Sequence, residues 1–255
     1  MAGTLYLIPA SLGLDTASSL TTPADVADVA RRLSYFVVEN AKTARAELKR
    51  LEHPGPLRDL DIRELPDKPG QADLDALLGP LMEGIDAGLM SEAGCPAVAD
   101  PGALLVRRAH ERGIRVTPLV GPSSLLLALM ASGLNGQSFA FHGYLPVDEA
   151  GRDRRIRELE AESSRFSRTQ LFIETPYRND RLFEALRQHC QPGTRLCVAR
   201  DLTQGEEWIA SRSIAEWRKT PAPDLARRPT VFLILAEPEA QGSKPHTTKA
   251  RQATR

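Results

Sequence analysis

Cysteine is scarce in this chain. Three thiols, Cys95, Cys190 and Cys197, stand among 255 residues. That number is too small, and odd, for a disulfide framework. No Cys-x-x-Cys pair and no His-x₃-His pair occurs, so no metal site is expected. An excess of one charge is also missing, because 33 Lys and Arg balance 33 Asp and Glu. This excludes a surface coated in positive charge for nucleic acid and leaves room only for a local basic patch. The longest apolar run, Leu125 to Ala131, falls far short of the roughly 20 residues that span a bilayer. The N-terminal stretch MAGTLYLIPASLG has no charged leader region and reads as a strand entering a loop rather than a signal peptide. Neither a Walker A loop nor a Gly-x-Gly-x-x-Gly fingerprint is present, so nucleotide phosphate and NAD are not indicated. There is no internal repeat. The expectation is a soluble cytoplasmic protein with no membrane segment.

With 42% hydrophobic and 26% charged residues, the composition is that of an ordinary globular protein, and 255 residues suggest two domains. Short β-rich runs at Thr4–Ile8, Tyr35–Val38, Gly88–Ser91, Val116–Val120 and Ser138–His142 alternate with helical patterns. That alternation predicts α/β architecture with a largely parallel sheet. Glu52 to Gly70 carries four prolines and many charges and reads as a loop. Gly143 to Gly151 lacks periodicity, which puts the domain division there: an N-terminal α/β domain over 1–143 and a second over 144–238. In the second, a charged helix at Arg152–Glu162 precedes strands at Gln170–Ile173, Leu196–Arg200 and Val231–Ala236, with a helix at Asp180–His189. Residues 239–255 form a basic tail.

Two loops stand out. Ser91-Glu92-Ala93-Gly94-Cys95-Pro96 leads to Asp100-Pro101-Gly102, between a strand and a helix. Its small residues allow a ligand close to the backbone, at the strand ends where α/β sheets gather ligands. The plain alternative is a turn whose glycines serve geometry, with Asp100 as a helix cap. Gly121-Pro122-Ser123-Ser124 has the same setting and could be a ligand loop or a serine cap. Phe139-Ala140-Phe141-His142-Gly143-Tyr144-Leu145-Pro146 alternates as a core strand would, with Tyr144 just past its end. Glu174-Thr175-Pro176-Tyr177-Arg178 and Ala199-Arg200-Asp201-Leu202-Thr203 present charge at strand ends, as site residues or as surface ion pairs. Arg152, Arg154, Arg155 and Arg157 form the one dense basic cluster before the tail, diluted by Glu158, Glu160 and Glu162. It is a phosphate-binding patch or a solvated helix.

Taken in order, these motifs resemble the tetrapyrrole methylase superfamily of S-adenosylmethionine-dependent methyltransferases. The nearest branch is the 16S ribosomal RNA cytidine 2′-O-methyltransferases and their paralogues. The resemblance runs from about Gly3 to Glu237. It implies two α/β domains with S-adenosylmethionine in the cleft between them, and a homodimer. It implies cofactor contacts from Ser91, Glu92, Ala93, Gly94 and Pro96, and from Gly121, Pro122, Ser123 and Ser124. Tyr144 and Leu145 match the hinge, and Ala199 and Thr230 match positions near the adenosyl group. Three segments depart from the branch: Ala10-Ser11-Leu12-Gly13-Leu14-Asp15, Glu39-Asn40-Ala41-Lys42 and Asp201-Leu202-Thr203-Gln204. The resemblance therefore implies the cofactor and leaves the acceptor open. A ribose 2′-hydroxyl of ribosomal RNA, a tetrapyrrole or other small molecule, and non-catalytic cofactor binding are the alternatives. A ribose hydroxyl needs a base or a polarising cation, for which Glu39, Glu174 and Arg200 are the candidates by position.

Overall fold

The computed structural model describes residues 1–13 and 16–236, so the basic tail and Leu14-Asp15 lie outside the described residues. The first half supplies β1 (Thr4–Leu7), β2 (Tyr35–Val38), β3 (Asp61–Glu64), β4 (Ala87–Met90) and β5 (Arg115–Pro118). They form one parallel sheet in the order β3-β2-β4-β1-β5. Between them run α1 (Ser18–Thr21), α2 (Ala24–Arg32), α3 (Ala41–Arg50), α4 (Gln71–Met82) and α5 (Ala103–Glu111).

Helices cover both faces, so the central strands are apolar throughout. Tyr35, Phe36, Val37 and Val38 of β2 are all buried. On one face Leu5, Tyr35 and Val37 pack against Leu74, Leu78 and Leu81 of α4 and Leu105 of α5. On the other, Ile8, Phe36 and Val38 meet Ala27 and Ala30 of α2 and Leu48 of α3. Each fully buried leucine of this kind contributes about 1.5–3 kcal/mol. Asn40 caps α3 by accepting from the Lys42 and Thr43 amides (2.9 and 3.2 Å). β3 corrects the expected loop at 52–70. It pairs with β2 alone and buries neither of its end residues, and such a short polar edge strand carries no apolar signature.

The second half supplies α6 (Ser124–Ser132), β6 (Phe139–Tyr144), α7 (Glu149–Phe166), β7 (Thr169–Ile173), α8 (Asn179–His189), β8 (Arg195–Arg200), β9 (Trp208–Ser213), α9 (Ile214–Trp217) and β10 (Thr230–Leu235). Its sheet is mixed, in the order β6-β7-β10-β8-β9. Only β6 and β7 are parallel. β9 is a second edge strand that the sequence did not reveal. The division expected at 143/144 falls inside β6, which pairs with β7, so the second sheet takes up the chain from Phe139.

One face of this sheet packs Phe172, Val198 and Phe232 on Leu159 of α7, Leu182, Phe183 and Leu186 of α8, and Trp217 of α9. The Trp217 indole donates to the Leu196 carbonyl (2.8 Å), which lets its polar atom be buried. The other face is covered by α6. Ala128 and Leu129 pack on Leu171, Cys197, Ala199, Val231 and Leu233. α6 follows the last strand of the first sheet yet covers the second, and so ties the two halves together.

Candidate functional site

A cleft of about 270 Å³ opens where the two sheets meet. Small-molecule sites begin at roughly 300 Å³. The first half contributes Leu12, Ala93, Gly94, Cys95, Val98, Ala99 and Asp100, and the link between the halves contributes Ser123, Ser124 and Leu125 at the start of α6. The second half contributes Tyr144, Ile173, Glu174, Pro176, Ala199, Leu202, Gln204, Pro229, Thr230 and Val231.

The first wall is made by loops at the carboxyl ends of β1, β4 and β5. β1 lies between β4 and β5, and its connection leaves toward β2 while that of β4 leaves toward β5. Divergent loops of this kind leave a crevice at the strand ends. Ala10 and Gly94 exchange two backbone hydrogen bonds (2.9 and 3.0 Å), which joins the first loop to the second. The Cys95 thiol donates to the Pro122 carbonyl (3.5 Å), which joins the second to the third. The β4 loop takes positive φ four times, at Gly94 (73°), Ala97 (67°), Ala99 (66°) and Gly102 (126°). An alanine there is held against about 1–2 kcal/mol of strain. Gly121 serves packing: a Cβ on it would sit 2.3 Å from the Pro9 Cβ.

Asp100 is not a helix cap, because α5 starts at Ala103 with Gly102 as its N-cap. Two intervening positions free the carboxyl to line the cleft. Burial pushes its pKa up to about 6, and the nearby Glu39 and Glu92 carboxylates push it the same way. Ser91 opposes the shift, but its buried hydroxyl has no partner of hydrogen-bond geometry, so burial prevails. A carboxyl so perturbed in a cleft is a mark of a functional site.

Two contacts join the halves at the cleft. The Thr16 hydroxyl donates to the Thr203 carbonyl (2.5 Å). Gly13 leaves room for Gln204, whose amide carbon would lie 2.4 Å from a Cβ there. A buried ion pair anchors the same β1 loop. Glu47 takes two bonds from Arg50 (2.8 and 2.5 Å) and two from Ser11 (3.3 and 3.2 Å). Arg50 also reaches the Thr16 carbonyl (3.4 Å) and the Thr22 hydroxyl (3.3 Å).

Of the residues singled out by sequence, Ala93, Gly94, Ser123, Ser124, Tyr144, Glu174, Ala199 and Thr230 come together in this cleft. Ser91, Glu92 and Pro96 belong to the loop after β4 but do not line the cleft, and Gly121 and Pro122 line a neighbouring hollow with Leu20 and Val120. Leu145 is buried in the second core. Glu39 stands behind the first wall and accepts from the Glu92 amide (3.0 Å). Glu174 is held by Arg178 through two bonds (3.0 and 2.7 Å). Arg200 donates to Asp201 (2.8 Å), a partner it shares with Arg228 (2.7 Å). The α7 arginines are engaged locally: Arg152 with Asp153, Arg154 with Glu158, and Arg155 with Glu158 and Glu162. Arg157 contacts His189. Sequence reading missed Asp100, Leu12 and Gln204 as cleft residues. The only signals were that they sit in or beside loops already marked.

No family model matches the chain. It is 31% identical over 240 residues to the Ribosomal RNA small subunit methyltransferase I of Escherichia coli O157:H7, covering 92% of this chain and 78% of that one. It is 33% identical over 238 residues to the protein of the same name from Pseudomonas aeruginosa, with 92% and 78% covered. The chain belongs to this methyltransferase family. Among solved structures, the methyltransferase CobJ shares the fold, with a TM-score of 0.59 at 20% identity over 92% of this chain and 95% of that one. Among the described residues no group of three or more His, Cys, Asp or Glu could hold a metal ion. No helix among them is long and apolar enough to cross a membrane.

Proposed function

We propose that the protein transfers a methyl group from S-adenosylmethionine to a ribose 2′-hydroxyl of small-subunit ribosomal RNA. The observation that carries this reading is the cleft between the two sheets, with a small-residue wall and an acidic edge. Its residues fit the cofactor. Ala93, Gly94, Ala99 and Ala199 offer backbone without bulky side chains. A Cβ on Gly94 would come within 3.5 Å of Leu12 and 3.8 Å of the Pro122 carbonyl, inside the space the loops enclose. Ser123 holds the N-cap position of α6, yet its hydroxyl makes no capping bond and is available to a polar ligand. Asp100, with Glu39 and Glu92 behind it, favours a cation. When bound, S-adenosylmethionine supplies an electrophilic methyl on a cationic sulfonium. The chain's contribution is to hold the reactants in line and exclude water, which is worth up to roughly 7–11 kcal/mol in favourable systems.

The reading includes a homodimer. α6 is apolar nearly all round, and outside its packed face Leu126 and Met130 are exposed. A helix of that kind is normally covered on both sides, here by a second copy. The reading also includes the cytoplasm, where unpaired Cys95, Cys190 and Cys197 stay reduced.

The test has two arms. Calorimetry should give one S-adenosylmethionine site per chain, and Gly94→Val should lose it, since valine is strained at φ 73° and fills the backbone approach. Methyl incorporation should then be measured on small ribosomal subunits and on porphyrinoids. Transfer to a porphyrinoid alone would replace the acceptor. Tight cofactor binding with no transfer to any acceptor would replace the enzyme by a sensor. Unchanged cofactor affinity in Gly94→Val would remove the site.

A further inference from the structure

The two walls of the cleft differ in charge and in aromatic content. The first carries Asp100 with Glu39 and Glu92 behind it. The second is rimmed by arginine and tyrosine. β6 and β7 are parallel, so both end on this rim: Tyr144 closes β6, and Glu174 to Arg178 follow β7. Tyr144 is 58% exposed and Tyr177 is 79% exposed. An aromatic ring left so open at the mouth of a cleft is costly to hydrate and suits a flat partner.

The rim is also rigid. Thr175 to Arg178 form a turn closed by the Arg178 amide on the Thr175 carbonyl (2.9 Å). Arg178 is locked on Glu174. The Arg227 amide donates to the Pro176 carbonyl (3.0 Å), which staples the loop before β10 to this turn. Arg227 takes a positive φ of 60°, is exposed, and makes no ion pair among the described residues. Its charge is therefore unspent, unlike those of the α7 arginines. Tyr177 and Arg227 are thus tied through one short backbone contact, with an exposed aromatic residue following Pro176 on one side and an exposed arginine on the other.

We propose that this rim is a docking platform for single-stranded RNA next to the methylated nucleotide, with a base stacked on Tyr177 and the adjoining phosphate on Arg227. Single-stranded RNA is recognised by this combination of stacking and backbone charge. A chain with zero net charge can bind RNA locally in this way without a basic coat. The inference rests on the reading that RNA is the acceptor.

The experiment uses the full chain with protein-free small-subunit ribosomal RNA in filter binding across a salt series, and with S-adenosylhomocysteine in calorimetry. Tyr177→Ala should weaken RNA binding roughly 5- to 150-fold, the range for loss of one stacked base. Tyr177→Phe should keep wild-type affinity. Arg227→Gln should weaken binding and lower the salt slope by about 0.7, one single-strand phosphate contact. Calorimetry should show unchanged S-adenosylhomocysteine affinity in all three. RNA affinity unchanged in Tyr177→Ala, or lowered equally in Tyr177→Phe, overturns the platform while leaving RNA as the acceptor. A parallel loss of S-adenosylhomocysteine affinity also overturns it, because the rim would then act through the cofactor cleft. Wild-type protein that neither binds nor methylates RNA overturns the acceptor reading, and the platform with it.

Discussion

Replacing Asp100 by Asn should stabilise the ligand-free protein at pH 8 and leave it unchanged at pH 4. In the fold its pKa is pushed from 3.8 up to about 6. Burial is the main cause, and the carboxylates of Glu39 and Glu92 add to it. Ser91 and Cys95 are the other polar neighbours, and Asp67 shares a shallow hollow with Asp100. A carboxyl whose folded pKa is raised favours folding in its protonated form. That contribution is complete below the unfolded value near 4 and is lost as pH rises through about 6. A shift of roughly two units corresponds to about 3 kcal/mol. The carboxyl lies partly in water, and screening reduces this to about 1 kcal/mol. Asparagine is neutral at every pH and escapes the loss. Thermal unfolding should show the variant about 2–4 °C more stable at pH 8 and equal to wild type at pH 4. Calorimetry should show wild-type S-adenosylmethionine affinity falling as pH drops through 6, because a protonated Asp100 no longer favours a cation. That fall should be absent in the asparagine variant. A variant no more stable at pH 8, with wild-type pH dependence of binding, would refute the account of this wall.

Two further outcomes follow from buried or exposed groups elsewhere. Glu47→Ala strands the Arg50 guanidinium and releases Ser11, so chemical denaturation should show a loss of about 3–5 kcal/mol; a change under 1 kcal/mol would mean that water replaces the carboxylate. Met130→Asp on the exposed side of α6 should convert a dimer to a monomer in light scattering, with cofactor binding intact, whereas an unchanged mass would move the dimer contact elsewhere.

Strands and helices with one-sided or wholly apolar patterns were legible in the sequence, because burial dictates residue type directly. Tyr35–Val38 matches the structure to the residue. So did the two small-residue loops as strand-to-helix connections, because glycine and proline report backbone constraints locally. Two of the four edge strands were not legible. β3 and β9 are paired on one side only, so their side chains need not be apolar. The cleft's composition was legible in part. Ala93, Gly94, Ser123 and Ser124 were visible in motifs, whereas Leu12 and Gln204 came to line the cleft only because the two halves meet.

The sequence by itself determined the α/β class, the parallel first sheet and the position of the two small-residue loops, since each rests on local patterning and backbone geometry. Tertiary structure alone decided which sheet α6 covers. Its all-round apolar sequence carries no direction, and the second sheet's open face took it. Tertiary structure also decided the state of Asp100. In sequence it could serve as a helix cap, and only the start of α5 at Ala103 left its carboxyl to the cleft, where burial and two neighbouring carboxylates set its charge.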